Sequence, residues 1–284
     1  MLWRRGRSTV RVALPGDGVR SSEVVMHRRD GTDQVARALS QQGWEGFEAP
    51  LPSAVVRIVR RWPGVLLDVG ANTGFYSLIA VASGPETRAI AYEPVPGIVE
   101  LLRANLRLNR ATERVTVEEL AIGDRSGWAT LHLPPPQPDG TIETSASLEP
   151  DFKEVIASSF EVRTSTLDDA WHDRGEPAVT MVKVDVEGAE ARVLRGAEAV
   201  MSSCRPVVSI EVLGVVDTVP LEGARAHHRY VDVTLAPQEA VICPSVTVDP
   251  AAPNHLLVPE ERLGAVADEL RQIEGVTLTE APTG

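Results

Sequence analysis

GVLLDVGANTGFY, residues 64–76, is the segment that sets the architecture of this chain. Val65, Leu66 and Leu67 form an apolar run closed by an acid, Asp68. Gly70 and Gly74 bracket a short turn, and Phe75 and Tyr76 lead into the helix-forming SLIAVAS. A buried strand passing through a tight turn into a helix opens a nucleotide-binding βα unit. Glycine is required where backbone takes positive φ or approaches a ligand with no Cβ in the way. The first helical turn then offers N–H groups to the polar end of that ligand.

Spacing narrows the ligand. The turn is G-A-N-T-G, which is neither the G-x-G-x-x-G of a dinucleotide site nor the G-x-x-x-x-G-K-[ST] of a phosphate-cradling loop. An acid closing the first strand, followed by G-x-x-x-G, suits S-adenosylmethionine (SAM), which has an ammonium group and no phosphate. Residues 88–92 (RAIAY) predict the second strand, ending in Glu93. An acid there accepts both hydroxyls of a ribose in other doubly wound sites. Pro94, Val95 and Pro96 open a helix, with proline in the first turn. After a third strand at 114–118, Leu120, Ala121 and Ile122 form an apolar lip suited to an adenine ring.

Working outward, residues 8–14 and 22–28 alternate around PGDG and predict a β-hairpin. Residues 33–42 have helical spacing with Asp33 as cap, and SAVVRIVRRW is a second helix. Residues 1–62 therefore read as a hairpin and helical cap, and 63–284 as the nucleotide-binding core. Downstream, strands are expected at 127–133, 160–165, 179–184 and 206–212, with two or three more before a last helix at 259–273. Residues 134–150 are proline-rich and then polar, a long connection suited to lining a site. The βαβα alternation predicts a largely parallel sheet covered on both faces.

The net charge of −12 argues against a nucleic-acid partner, which needs a basic face. No apolar run is long enough to span a membrane. The arginine-bearing start lacks the apolar stretch of a signal peptide. Cys204 and Cys243 lie far apart, and buried free thiols in a reducing cytoplasm are the expectation.

Taken in order, GFEAPLP, LLDVGANTGFYS, AYEPVPGIVELLRANLRLN, LAIGDRSG, TSTLDD, VKVDVEGAEARVLRGA and VSIEV resemble the FkbM-type SAM-dependent O-methyltransferases over residues 47–213. The resemblance implies an α/β, Rossmann-like, seven-stranded class I methyltransferase sheet. It implies methyl transfer from SAM, leaving S-adenosylhomocysteine, to a hydroxyl of a sugar or secondary-metabolite alcohol. Carried over by position, Asp68, Gly70, Asn72 and Gly74 would hold the methionine end, with Phe75 beside them. Glu93 would hold the ribose, Pro94, Val95 and Ala121 the adenine, and Asp185 would face the sulfonium and the acceptor.

An attacking alcohol must lose a proton to a nearby base. Open α/β sheets bind ligands beyond the carboxyl ends of their strands. Asp185 and Glu211 fall at such ends and Glu187 just beyond one, so these three are the candidate catalytic acids. His228, with His227, is a further candidate because imidazole titrates near neutral pH. Glu48 is another, while Glu190 reads as a helix cap. Three carboxylates suit Mg²⁺ or Ca²⁺, but no adjacent acid pair follows strand 4, and no metal is expected. A non-catalytic SAM-binding protein and a methyltransferase acting on a macromolecule remain as alternatives. The oligomeric state is not legible.

Overall fold

The computed structural model describes residues 9–14, 23–28, 33–43, 46–135, 146–149, 155–214 and 216–281. β1 (Thr9–Ala13) and β2 (Glu23–His27) pair antiparallel as their alternation predicts. The PGDG turn between them, and most of the 134–150 connection, lie outside the described residues. α1 (Gln34–Gln42) begins at Asp33, whose carboxylate accepts the Ala36 N–H. α2 (Leu51–Arg61) starts earlier than its apolar spacing suggested, because Pro52 in its first turn forfeits no helical hydrogen bond.

The nucleotide-binding segment follows as predicted: β3 (Val65–Val69), α3 (Phe75–Ser83), β4 (Arg88–Tyr92), α4 (Pro96–Leu108) and β5 (Val115–Glu118). β6 (Ala121–Ile122), β7 (Gly127–Leu133) and β8 (Ser158–Ser165) form a separate three-stranded sheet in the order β6-β8-β7. Then come α5 (Leu167–His172), β9 (Val179–Val184), α6 (Glu190–Arg195), α7 (Glu198–Cys204), β10 (Val207–Glu211) and α8 (Thr218–His227). The chain ends with β11 (Tyr230–Ala236), β12 (Glu239–Cys243), β13 (Asn254–Pro259), α9 (Leu263–Arg271) and β14 (Thr277–Glu280).

The main sheet has nine strands, in the order β14-β12-β11-β13-β10-β9-β3-β4-β5, not the expected seven. The extra pair arises because β11 turns back at Pro237–Gln238 into an antiparallel β12, whose free edge takes β14 in parallel. β5, β4, β3, β9 and β10 run parallel. β13 is antiparallel to both β10 and β11, so β11 points the same way as the parallel block.

Because this sheet is covered on both faces, its central strands are continuous apolar runs. All six positions of β9 (VTMVKV) are buried. Leu66 packs among side chains of α2, α3 and α9, while its neighbour Leu67 packs among those of α6, α7 and α8. Each such leucine contributes about 1.5–3 kcal/mol by leaving water. The N-terminal hairpin joins the first of these cores through Val24 and Met26. Asn105 of α4 and Asn109, which caps its end, hold it there. Asn109 receives the Val25 N–H at 2.8 Å and donates to the Val25 carbonyl at 2.6 Å. Asn105 receives the His27 N–H and donates to the Thr73 carbonyl, both at 2.9 Å, so it ties β2 to the glycine turn. Among the described residues no helix is long and apolar enough to cross a membrane.

Candidate active site

The site forms where β3, β4, β9 and β10 end. Gly70 has φ +76, and a Cβ there would lie 1.8 Å from the Asp185 carbonyl oxygen. Only glycine lets the end of β3 touch the turn after β9. The N–H groups of Gly70 and Ala71 both donate to the Tyr92 carbonyl at 3.0 Å, which locks the end of β4 to the same turn. Gly74 (φ +88) begins α3, and a Cβ there would press on Leu102 Cγ at 3.1 Å.

With glycine as its N-cap, α3 has no capping side chain of its own. Asp68 supplies the missing acceptor: its Oδ2 takes the Ser77 N–H at 2.9 Å and the Ser77 hydroxyl at 2.7 Å. The residue is wholly buried and lines neither cavity described below. Burial pushes its carboxyl up, against the pull of Lys183 and Ser77. The structure thus places Asp68, expected at the methionine end, under the start of α3 and on neither cavity wall. Its Oδ2 caps a helix N-terminus, where unpaired N–H groups need an acceptor, while its buried Oδ1 has no hydrogen-bond partner among the described residues.

A cleft partly open to solvent lies over these strand ends. Gly70, Asn72, Glu93, Pro94, Ala121, Asp185 and Glu187 all line it, so the structure brings together most of the expected set. Glu93 is buried, and its two oxygens accept the backbone N–H groups of Asn72 and Val95, each at 2.9 Å. Burial pushes it up to about 7, although those two N–H groups pull it down. Leu120, Ala121 and Ile122 face it as an apolar lip. Leu131 on β7 completes the lip with Ala146 and Leu148, two residues of the 134–150 connection expected to line a site, while Leu131 itself was not foreseen. Tyr92 also lines the cleft, and its buried hydroxyl has no hydrogen-bond partner among the described residues.

Beside Asp185 lies a small cavity with room for about one water, lined by Glu48, Lys183, Asp185, Ser209, Glu211 and Asn254 among others. Lys183 is buried, donates to Asp185 Oδ2 at 2.8 Å, and lies 4.7 Å from the centre of the Tyr76 ring. Burial alone would push its ammonium down, but Asp185, Glu48 and Asp68 outweigh that and hold it above its ordinary value. The Tyr76 hydroxyl donates to Glu48. Burial pushes Glu48 up, against the opposing pull of Lys183. Glu211 is pushed up to about 8, first by burial and then by the neighbouring Asp185 and Glu187 carboxylates.

Other expected residues fall elsewhere. Phe75 lines neither cavity; it packs edge-on against Phe47 and Tyr76. Gly74 serves packing, and Val95 contributes its N–H to Glu93 rather than a wall. Glu190 accepts the Val186 and Gly188 N–H groups at 3.3 and 3.2 Å, which closes the turn before α6 as a cap would. Cys204 and Cys243 are free, each partly exposed.

His228 must be withdrawn as a candidate base. It stands between α8 and β11, at the amino end of a strand parallel to β10, and lines neither cavity. Its Nε2 lies 3.1 Å from Glu198. Among the described residues, Glu198, His227 and His228 are the group close enough together to hold an ion, all within 4.8 Å. Asp185, Glu187 and Glu211 do not form such a group.

The strand order and a cleft at the carboxyl ends of parallel strands define a Rossmann-like methyltransferase fold. The family model described as the methyltransferase FkbM domain matches residues 68–229, more than half of the chain. The chain therefore belongs to the FkbM methyltransferase family. It is 30% identical over 159 residues to the 31-O-demethyl-FK506 methyltransferase FkbM of Streptomyces tacrolimicus, covering 48% of this chain and 60% of that one. It is 25% identical over 176 residues to the 2-O-methyltransferase NoeI of Sinorhizobium fredii, covering 57% and 70%. A crystal structure of methyltransferase FkbM from Methylobacillus flagellatus aligns with a TM-score of 0.46 and 19% identity, over 68% of this chain and 43% of that one. The match thus spans about three fifths of the Streptomyces relative's length.

Proposed function

We propose that this protein is a SAM-dependent O-methyltransferase acting on a hydroxyl group of a small molecule. One observation carries the proposal: a single cleft has a nucleoside-shaped end and a proton-accepting end. At the first, the buried Glu93 carboxylate faces the apolar lip of Leu120, Ala121, Ile122, Leu131 and Leu148. At the second stand Asp185 and Glu187, with Glu211 on the adjoining strand. The unpartnered Tyr92 hydroxyl fits a polar ligand lying between them.

In this assignment Glu93 binds the ribose hydroxyls while the lip and Pro94 bracket the adenine. SAM, when bound, supplies a methyl group already activated on a sulfonium. The chain then has to hold the acceptor oxygen about 3–3.5 Å from the methyl carbon and take its proton. Asp185 is the group best situated for that, since it borders both cavities and is oriented by Lys183. The hydroxyl as methyl acceptor is supported by the relatives named for 31-O and 2-O methylation. The negative charge of the chain opposes a nucleic-acid acceptor. Calorimetric titration with S-adenosylhomocysteine tests the donor half. Release of that nucleoside from SAM on adding a small-molecule extract, and not on adding total RNA, tests the acceptor half. Absence of nucleoside binding ends the proposal.

A further inference from the structure

Away from the cleft, one cluster has the chemistry of a metal site. Glu198 opens α7, His227 ends α8, and His228 follows as the cap of that helix. Consecutive residues of a helix point about 100° apart, so adjacent histidines seldom share a target. Here the chain leaves the helix at His228, and both rings reach Glu198. His228 Nε2 lies 3.1 Å and His227 Nε2 3.7 Å from Glu198 Oε2. A second observation points the same way. The His228 side chain is 3% exposed, and its Nε2 makes no hydrogen bond among the described residues. Its other nitrogen, Nδ1, lies 3.4 Å from the Ser202 hydroxyl. A buried imidazole nitrogen left open costs stability until something fills it.

We infer that Glu198, His227 and His228 bind a divalent transition-metal ion, zinc first among them, as a clamp between α7 and α8. The three ligand atoms all lie within 4.8 Å of one another. Around a tetrahedral zinc with bonds of about 2.0–2.1 Å, neighbouring ligand atoms stand roughly 3.3–3.4 Å apart. The two separations from Glu198 bracket that value. Two imidazoles and one carboxylate suit zinc, whereas Mg²⁺ and Ca²⁺ take oxygen ligands. The Ser202 hydroxyl supplies the orienting partner: by accepting from Nδ1–H it fixes the tautomer that leaves Nε2 able to ligate. His227 and His228 also line an open surface cavity with Arg205, Arg229, Glu260 and Glu261, where a water completes the fourth position. Those arginines repel a cation little, because Arg205 pairs with Glu261 at 2.8 Å and Arg229 with Glu260 at 2.7 Å. None of the three ligands lines the nucleoside cleft, so the ion is independent of the SAM assignment.

Zinc itself is the probe, added to the full chain after a chelator has stripped it of metal. Titration against a chromogenic zinc indicator should find one site per chain. Zinc should also raise the melting temperature, since an ion held only by the folded state stabilises it, and Mg²⁺ should do neither. Glu198→Gln and His227→Ala change exposed side chains, so neither threatens the fold. Each should weaken zinc at least about tenfold, because even the loss of an orienting partner costs roughly 10–100-fold. His172→Ala, at an exposed histidine outside the cluster, should leave zinc affinity as in wild type. Absence of a stoichiometric zinc site, affinity unmoved by both Glu198→Gln and His227→Ala, or an equal loss in His172→Ala would overturn the proposal. The three side chains would then be an ordinary ion pair with a neighbouring ring.

Discussion

Two charged clusters sit at opposite edges of the main sheet, one beyond the carboxyl ends of β9 and β10 and one at the amino end of β11, and only the first is built like an active site. At the carboxyl ends, Lys183, Asp185, Glu48 and Glu211 line a small cavity that shares Asp185 with the nucleoside cleft. At the amino ends, Glu198, His227 and His228 gather near Arg205 and Glu261. The second cluster has the more familiar catalytic residue types. Yet Glu198 and His227 are 55% and 70% exposed, whereas Lys183 is 5% exposed. Burial makes the difference chemical. It pushes Glu211 up to about 8 and leaves solvent little room to screen the charges around it. In the amino-end cluster, Arg205 pairs with Glu261 and stacks over Tyr230, a surface ion pair of small energetic worth.

The largest expected contrast between the clusters is in turnover. Asp185→Asn should lower methyl transfer about 10²–10⁴-fold, the span of a lost general base, and change S-adenosylhomocysteine affinity far less. Equal losses in rate and affinity would make Asp185 a binding group instead. Next comes Glu93→Ala, which removes a carboxylate bonded to two backbone N–H groups. Nucleoside affinity should fall by roughly 1.5–3 kcal/mol for each charge-assisted bond lost, measured by calorimetry.

A smaller effect separates the clusters by pH. Glu93 and Glu190 sit at about 7 and Glu211 at about 8, all above the ordinary 4.5. The folded state therefore holds these protons more tightly than the unfolded chain does. That stabilisation is complete below the unfolded value and is lost as pH rises through about 7–8. The melting temperature of the ligand-free protein should fall over this range, and Glu211→Gln should flatten the decline. An unchanged slope in the variant would mean that Glu211 ionises freely. The smallest effect is none: His228→Ala should leave both nucleoside affinity and methyl transfer as in wild type, and a large loss of rate would return the amino-end cluster to the chemistry.

What the sequence made legible was whatever is local to a strand and the turn after it. Asp68, Gly70, Glu93, Ala121 and Asp185 each follow or end a strand, and apolar runs mark those strands plainly. Four of the five line the cleft. Asp68 misled because a strand-end acid can face a ligand or cap the next helix, and only Ser77, three residues after Gly74, betrays the second use. The two histidines misled for a topological reason that was available: they follow a helix and precede a strand, which puts them at the amino end. Lys183 was hidden inside an apolar run, where alternation says nothing about a buried cation. The place of Leu131 in the lip and the ties made by Asn105 and Asn109 depend on contacts between distant segments, and no local pattern encodes them. The nine-strand count escaped because the seven strands came from the family resemblance and the short edge segment TLTE carries little signal.

The most direct test is a crystal structure of the protein grown with S-adenosylhomocysteine. The nucleoside is predicted in the cleft, its ribose on Glu93, its adenine against Leu120, Ala121 and Ile122, and its sulfur beside Asp185. Density for the nucleoside at any other place, or with Glu93 still bonded only to Asn72 and Val95, would contradict the assignment.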